Sequence, residues 1–281
     1  MNISFVVLTY NRTDALLTVL RSLAEQCFKN HEILIADDGS KSEEVEKLLA
    51  QCPPFRCAVR HVWHPDTGFT AARARNLAAA HAHGEYLIFL DGDCIPNQKM
   101  VVQHARLAEQ GCFVNGSRVL LSEALSRRVL EGNIDITHSS PTFWLKAWLR
   151  GDSNKLLHLL NWPWRLFRVK QRFAWRGIRS CNFGVWRQDF LKVNGFDETF
   201  QGWGHEDADL VLRLSHLGIK RKNGFMATEV FHLWHPENKR DRESSNKNRV
   251  IQRMQTDQVQ ADQGLQEIDP ESPVKITQLN P

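Results

Sequence analysis

The chain predicts an α/β fold: a mainly parallel, doubly wound sheet with flanking helices. Three observations carry this. Short apolar runs alternate with helical-period segments through the first 120 residues, the rhythm of repeated βα units. The runs at residues 3–8 and 86–90 are almost wholly apolar, as strands covered on both faces are. Two further strand ends carry acidic turns, Asp37-Asp38-Gly39-Ser40 and Asp91-Gly92-Asp93, at the edge where open α/β sheets take ligands.

Each element follows from its residues. Residues 3–8 form a strand, left through the loop Thr9-Tyr10-Asn11-Arg12. Leu16, Val19, Leu20, Leu23 and Ala24 recur at helical spacing, with Thr13 as the expected N-cap. Residues 32–36 are a second strand, 43–51 a helix and 57–63 a third strand. An Ala-rich helix spans 71–83, with Gly84 as its C′ residue. The strand at 86–90 is followed by a helix reaching residue 109 and a strand over 113–120. The rhythm then breaks. Residues 122–176 set Trp144, Trp148, Trp162, Trp164 and Trp175 among Arg127, Arg128, Lys146, Arg150, Arg165, Arg168, Lys170, Arg172 and Arg176, and read as a helical insertion. A globular pattern returns from Gly177 to His235, including a helix carrying Leu210, Leu214 and Leu217 and stopped by Gly218. The remainder is a polar tail with a helix over 250–266 and fifteen disordered final residues. The expected units are 1–121, 122–176, 177–241 and 242–281.

With 281 residues the chain can bury a large core, and its net charge of +4 does not mark a nucleic-acid binder. The six cysteines have no metal-ligand spacing and lie in or beside apolar runs, the usage of reduced, buried thiols in a cytosolic protein. No secretory leader and no apolar run of membrane-spanning length is seen, so the expected location is cytoplasmic, soluble or peripheral on the inner membrane face.

Two carboxylates at the end of a buried strand cannot serve packing, because desolvating both is costly without a cation or donors. Asp91 and Asp93 therefore suggest a divalent ion, Mn²⁺ or Mg²⁺, facing a diphosphate. An isolated Asp-Gly turn would carry little weight. A second acidic cluster, Trp203-Gly204-His205-Glu206-Asp207, changes that: the helix dipole explains one acidic residue at a helix start, but not Glu206, Asp207 and Asp209 together.

The segments Phe5-Val6-Val7-Leu8-Thr9-Tyr10-Asn11-Arg12, Ile35-Ala36-Asp37-Asp38-Gly39-Ser40, Ala74-Arg75-Asn76 and Leu90-Asp91-Gly92-Asp93 resemble, in order, those of family 2 glycosyltransferases of the GT-A fold. Gly195-Phe196-Asp197-Glu198 and the stretch from Gly202 to Leu210 are similar to the C-terminal motif of galactosyltransferase-type and chondroitin-polymerase-type enzymes. The resemblance covers roughly residues 1–120 and 177–236.

The resemblance implies an inverting hexosyltransferase acting from a UDP-sugar, galactose-type favoured, on a glycan or lipid-linked acceptor in cell-envelope polysaccharide or lipopolysaccharide synthesis. It assigns donor binding to Thr9, Tyr10, Asn11, Arg12, Asp38, Arg75 and Asp91, with Asp38 on the base. It makes Asp207 the catalytic base and Glu206 its neighbour on the sugar or acceptor, with Trp203 as a platform and Asn182 at the acceptor. Asp93 is the direct metal ligand, Asp91 acts on ribose or through metal-bound water, and a late histidine, His232 or His235, completes the set. The Trp- and Arg-rich insertion is a folded core element, a peripheral membrane patch or an acceptor lid. A nucleotidyltransferase on a similar sheet and a non-catalytic carbohydrate- or membrane-binding module are the competing classes. The first has no need of the Trp-Gly-x-Glu-Asp motif, and the second leaves both acidic clusters unexplained.

Overall fold

The computed structural model describes residues 1–157, 167–170, 173–175, 177–236 and 241–280. Its strands are β1 (Ile3–Thr9), β2 (His31–Asp37), β3 (Ala58–Trp63), β4 (Tyr86–Asp91), β5 (Cys94–Pro96), β6 (Cys112–Asn115), β7 (Ser117–Leu120), β8 (Val169–Lys170), β9 (Asn182–Trp186), β10 (Lys220–Asn223), β11 (Glu229–His232) and β12 (Lys275–Gln278). Its helices are α1 (Thr13–Gln26), α2 (Ser42–Gln51), α3 (Ala71–Ala80), α4 (Met100–Leu107), α5 (Glu123–Leu130), α6 (Pro141–Leu149), α7 (Arg187–Lys192), α8 (Glu206–His216) and α9 (Glu243–Arg253).

Among the described residues the large sheet runs β12-β3-β2-β1-β4-β9-β6-β10-β8. β3, β2, β1 and β4 are parallel, while β9 lies antiparallel to both its neighbours and makes the far half mixed. Side chains alternate across each strand, so Ile3, Phe5 and Val7 join α1 in one core while Val6 and Leu34 join α3 and α8 in the other. That double burial is why the runs are largely apolar.

Strand order reverses at β1: β2 and β3 grow from one side, and β4 is laid on the other. The carboxyl ends of β1 and β4 thus border a crevice, with Leu8 and Asp91 in register. Gly92 fits the close approach there. Its N–H donates to the Leu8 carbonyl at 2.7 Å, and a Cβ would stand 2.7 Å from the same oxygen.

A small second sheet, β5-β11-β7, sits beside the crevice. Pairing of β11 with β5 puts His232 opposite Cys94, and the Leu233 N–H donates to the Asp93 carbonyl at 2.9 Å. This sheet is what carries a late histidine to Asp93.

Several expectations are corrected. The strand expected over 113–120 is two strands in different sheets, parted at Gly116, which packs on the Asn182 side chain with no room for a Cβ. Thr13 is the first helical residue, not the cap, and its N–H and hydroxyl both donate to Glu44, tying α1 to α2. α3 stops at Ala80; Gly84 is needed for its contact with Ser4, whose backbone nitrogen would collide with a side chain.

The described part of the tail, residues 242–280, is folded onto the domain. α9 begins at Glu243, earlier than expected, and ends at Arg253; β12 adds antiparallel to β3. Several polar residues there are paired, which composition alone does not reveal. Asn280 accepts from the Val59 N–H at 2.7 Å. Buried Arg253 donates to Asp197 (2.9 Å) and Asp262 (2.6 Å) and also holds Asp209.

In the insertion, α5 and α6 are helical as expected, and Trp144 is core, stacked on Phe231 with centroids 4.7 Å apart. Trp148 is exposed. Trp162, Trp164, Arg165, Arg172 and Arg176 lie outside the described residues.

Candidate active site

The crevice gathers residues from β1, β2, β4, α3 and α8. After β1, Tyr10 is exposed and donates to Asp66 at 2.9 Å. Asn11 takes a left-handed conformation (φ 49°) and accepts from the Lys41 N–H at 2.9 Å. Arg12 pairs with Asp14 at 3.3 Å. Buried Asp38 accepts from the Thr70 N–H (2.9 Å) and hydroxyl (2.5 Å), with His64 Nε2 at 3.2 Å. Thr70 and His64 were not singled out by sequence; they come from the β3–α3 connection, which carries no motif.

Arg75 is the centre of the site. It is buried on α3, donates to Asp91 Oδ1 at 2.9 Å and to Glu206 Oε1 at 3.4 Å, and lies 5.3 Å from the Phe196 ring centroid. Burial opposes its charge, but Asp91 and Glu206 outweigh burial and hold the guanidinium protonated. One cation thereby joins acidic clusters 115 residues apart in sequence (206 minus 91).

Asp207 follows Glu206 at the start of α8. Its oxygens accept from the Ala208 N–H (2.7 Å) and the Ser180 N–H (3.3 Å). Burial, then the neighbouring Glu206 charge, push its pKa up to about 7, against the pull of those N–H groups and Arg75. The loop before it is tightly wound: Gly202, Gly204 and His205 all have positive φ, and His205 at 74° bears a side chain in the left-handed region. Such a residue costs ~1–2 kcal/mol and persists only where its surroundings hold it. Here Asn246 of α9 donates to the Gln201 and Gly204 carbonyls at 3.2 and 3.0 Å. Trp203 stands half-buried in this loop. Asp209 is structural, bonded to Arg213 at 2.8 Å and to Arg253.

At Asp93 both histidines converge. His235 Nε2 lies 3.3 Å from Oδ2 and His232 Nε2 3.8 Å from Oδ1, their rings 5.2 Å apart. Ligand atoms of Asp93, Cys94 and His232 all lie within 4.8 Å of one another. Burial, then the cation Arg118 against the attraction of Asp93, lowers the proton affinity of His232, which keeps the imidazole neutral as a ligand must be. Asp91 itself is turned to Arg75.

Asn182 is corrected. It is 1 % exposed, its oxygen bonded to His104 Nε2 at 2.8 Å and its amide to the Ser117 (3.0 Å) and Thr228 carbonyls. With its polar atoms paired in the core it braces the two sheets and cannot reach an acceptor. Arg118 on β7, Arg179 and Lys155, which sequence reading passed over, stand beside the crevice; topology alone assembles them.

A sheet that opens at its reversal point, with carboxylates from both halves of the chain meeting there, makes the ligand crevice of an open α/β fold. Comparison with known proteins gives the family. The model described as Glycosyl transferase family 2 matches residues 4–183, and that described as N-terminal domain of galactosyltransferase matches 166–236. The chain belongs to glycosyl transferase family 2. It is 28% identical over 231 residues to a validoxylamine A glucosyltransferase of Streptomyces hygroscopicus, covering 77% of this chain and 52% of the relative. It is 26% identical over 278 residues to a chondroitin synthase of Escherichia coli, covering 90% and 38%. The chain thus spans about half or less of the length of these relatives. Among solved structures it is similar to S. aureus TarS in complex with UDP-GlcNAc (TM-score 0.55, 16% identity, 95% of this chain and 69% of that one). It is also similar to the mannosyltransferase PcManGT of Pyrobaculum calidifontis with GDP-Man and Mn²⁺ (TM-score 0.54, 15% identity, 89% and 61%).

Proposed function

We propose that this glycosyltransferase moves a hexose or N-acetylhexosamine from a UDP-sugar to a glycan or glycolipid acceptor, with inversion and with a divalent ion, in cell-envelope polysaccharide or lipopolysaccharide synthesis. The observation that carries it is Arg75 spanning Asp91 and Glu206, because it sets the donor end of β4 against the start of α8 where Asp207 stands. With its pKa near 7, Asp207 is matched to accept the acceptor hydroxyl proton as that oxygen attacks the anomeric carbon and the nucleoside diphosphate departs. Attack from the face opposite the leaving group inverts the anomeric centre, so an α-linked donor gives a β-linkage. Thr9, Tyr10, Asn11, Arg12 and Asp38 serve the base and ribose end, Asp91 the ribose or metal-bound water with Arg75 beside it, and Trp203 the acceptor entrance.

Asp93 and a late histidine fit a divalent ion: His232 gathers with Asp93 and Cys94, and His235 faces the other Asp93 oxygen. Mn²⁺ is favoured over Mg²⁺ by the imidazoles, and when bound it supplies positive charge against the departing diphosphate. The relatives' printed functions, chondroitin synthase among them, and the nucleotide-sugar complexes of the structural neighbours support a nucleotide-sugar donor and a glycan acceptor. A peripheral position on the cytoplasmic membrane face is supported by α6, where Leu145, Trp148 and Leu149 are exposed beside Lys146 and Arg150. No helix among the described residues is long and apolar enough to cross a membrane.

The test is a thermal-shift screen of nucleotides with and without Mn²⁺, since a ligand bound only to the native state raises its stability. UDP with Mn²⁺ is expected to stabilise the protein and Asp93→Ala to lose that effect. Product analysis separates the classes: UDP is expected, whereas release of pyrophosphate would establish a nucleotidyltransferase instead.

A further inference from the structure

A third side chain joins Asp93 and His232, and it is a thiol. Cys94 opens β5, and the antiparallel pairing of β5 with β11 sets it directly opposite His232. Residues opposite one another in a ladder project to the same face, so register alone brings sulfur and imidazole together. Cys94 Sγ donates to Asp93 Oδ1 at 3.6 Å, and His232 Nε2 lies 3.8 Å from the same oxygen. The three ligand atoms thus form a triangle with no side longer than 4.8 Å. For any such triangle one point lies within ~2.8 Å of every corner, against ~2.0–2.3 Å for oxygen, nitrogen and sulfur bonds to a divalent ion such as Zn²⁺. Side-chain movements of under ~1 Å close that gap.

The surroundings of the thiol suit the task. Cys94 is wholly buried, packed with the core that holds α1. Asp93 and His232 keep 17% and 15% of their side chains exposed, so an ion enters between them and Cys94 closes the set from the core side. Burial, with the neighbouring Cys181 and Asp93, holds the free thiol protonated. Its sulfur therefore joins the set by exchange: the S–H bond breaks, the proton passes to water, and the electron pair left on sulfur binds the ion. Sulfur is the soft donor beside a carboxylate and an imidazole, and it turns the set toward thiophilic ions.

We propose that Cys94 is a direct sulfur ligand of the divalent ion, in a set of Asp93, Cys94 and His232 that prefers thiophilic ions such as Zn²⁺. The inference rests on the metal part of the transferase reading above and deepens it, by naming a ligand that neither the acidic motif nor the late histidines announce. His235, 3.3 Å from the other Asp93 oxygen, then steadies that carboxylate instead of completing the set.

The experiment is titration of the full chain with Co²⁺ in the absence of nucleotide, read by absorption. Sulfur bound to Co²⁺ gives a strong near-ultraviolet charge-transfer band that oxygen and nitrogen ligands do not give. The wild type is expected to show this band and Zn²⁺ to bleach it. Cys94→Ser is expected to abolish it, and His235→Ala to keep it. By calorimetry the Zn²⁺-to-Mn²⁺ affinity ratio should fall by roughly tenfold or more in Cys94→Ser. Wild-type Co²⁺ bound without the band, a band that survives Cys94→Ser, or an unchanged affinity ratio would overturn the assignment. Should Cys94→Ser fail to fold, Asp93→Ala, altered at a partly exposed side chain, decides: loss of the band upholds the set and its retention overturns it. The transferase reading is judged apart, by whether UDP with Mn²⁺ stabilises the wild type. Stabilisation without a sulfur band rejects Cys94 and keeps the donor reading. A sulfur band without any UDP binding keeps Cys94 and rejects the donor assignment.

Discussion

Asp207→Asn is expected to stabilise the protein while abolishing its activity. The carboxyl is held at about 7 where an ordinary aspartate has 3.8, chiefly through burial and secondarily through Glu206. Each decade of proton affinity is ~1.4 kcal/mol, so roughly three decades correspond to ~4 kcal/mol carried by the ionised side chain in the native state. The native state binds this proton more tightly than the unfolded chain does. Stability on this account is therefore full below pH 3.8, falls as the pH rises, and reaches its lowest level above about 7. Asparagine removes the charge at every pH but gives up one of the acceptors now serving Ser180 and Ala208, a loss of about 1–3 kcal/mol. The net expectation at pH 8 is a gain of ~1–3 kcal/mol, shrinking to nothing or reversing at pH 4.5. Urea unfolding of both proteins at the two pH values, without nucleotide or metal, measures it. Sugar transfer is followed in parallel and should fall by at least ~10²-fold, the scale of a lost general base. Equal stability differences at both pH values would refute the desolvation argument, and a variant that still transfers sugar would remove Asp207 from the chemistry.

Three further outcomes are expected. Glu206→Gln removes the like charge beside Asp207, so the rise of kcat/KM with pH should shift to lower pH; a shift upward, or none, counts against the coupling. Arg253→Met leaves Asp197 and Asp209 buried beside no arginine fork from α9, and urea unfolding should show a loss of about 3–5 kcal/mol, the scale of a broken buried pair. Asn280→Ala unpairs the Val59 N–H and the Cys57 carbonyl at the sheet edge and should cost ~1–3 kcal/mol, read as a lower melting temperature with transfer retained.

The parallel half of the sheet was legible because its strands are doubly covered and their ends carry turn and acidic residues at the ligand edge. Asp91, Glu206 and Asp207 were legible for the same reason, each at an element end, and Arg75, in mid-helix, through its short local pattern Ala74-Arg75-Asn76. The choice between His232 and His235 was not, since it depends on β11 pairing with β5 across more than a hundred residues, and the fold brings both rings to Asp93. Asn182 misled because a polar residue before an apolar strand looks available, whereas its amide is consumed by His104 and two carbonyls. The tail misled in the opposite way. Its polar residues are bonded to partners elsewhere in the chain, such as Arg253 to Asp197 and Asn246 to Gly204, and no periodicity announces such bonds.

The shared guanidinium of Arg75 bears on how enzymes of this design can be recombined. A chimera joined near residue 177 would take its Asp91 from one parent and its Glu206 from the other, with the same arginine answering to both. Modular exchange of specificity would then succeed only between parents whose spacing across that bridge agrees. A mismatch would leave a buried cation short of one partner, so the graft would show its fault first as lost stability and only afterwards as altered sugar preference.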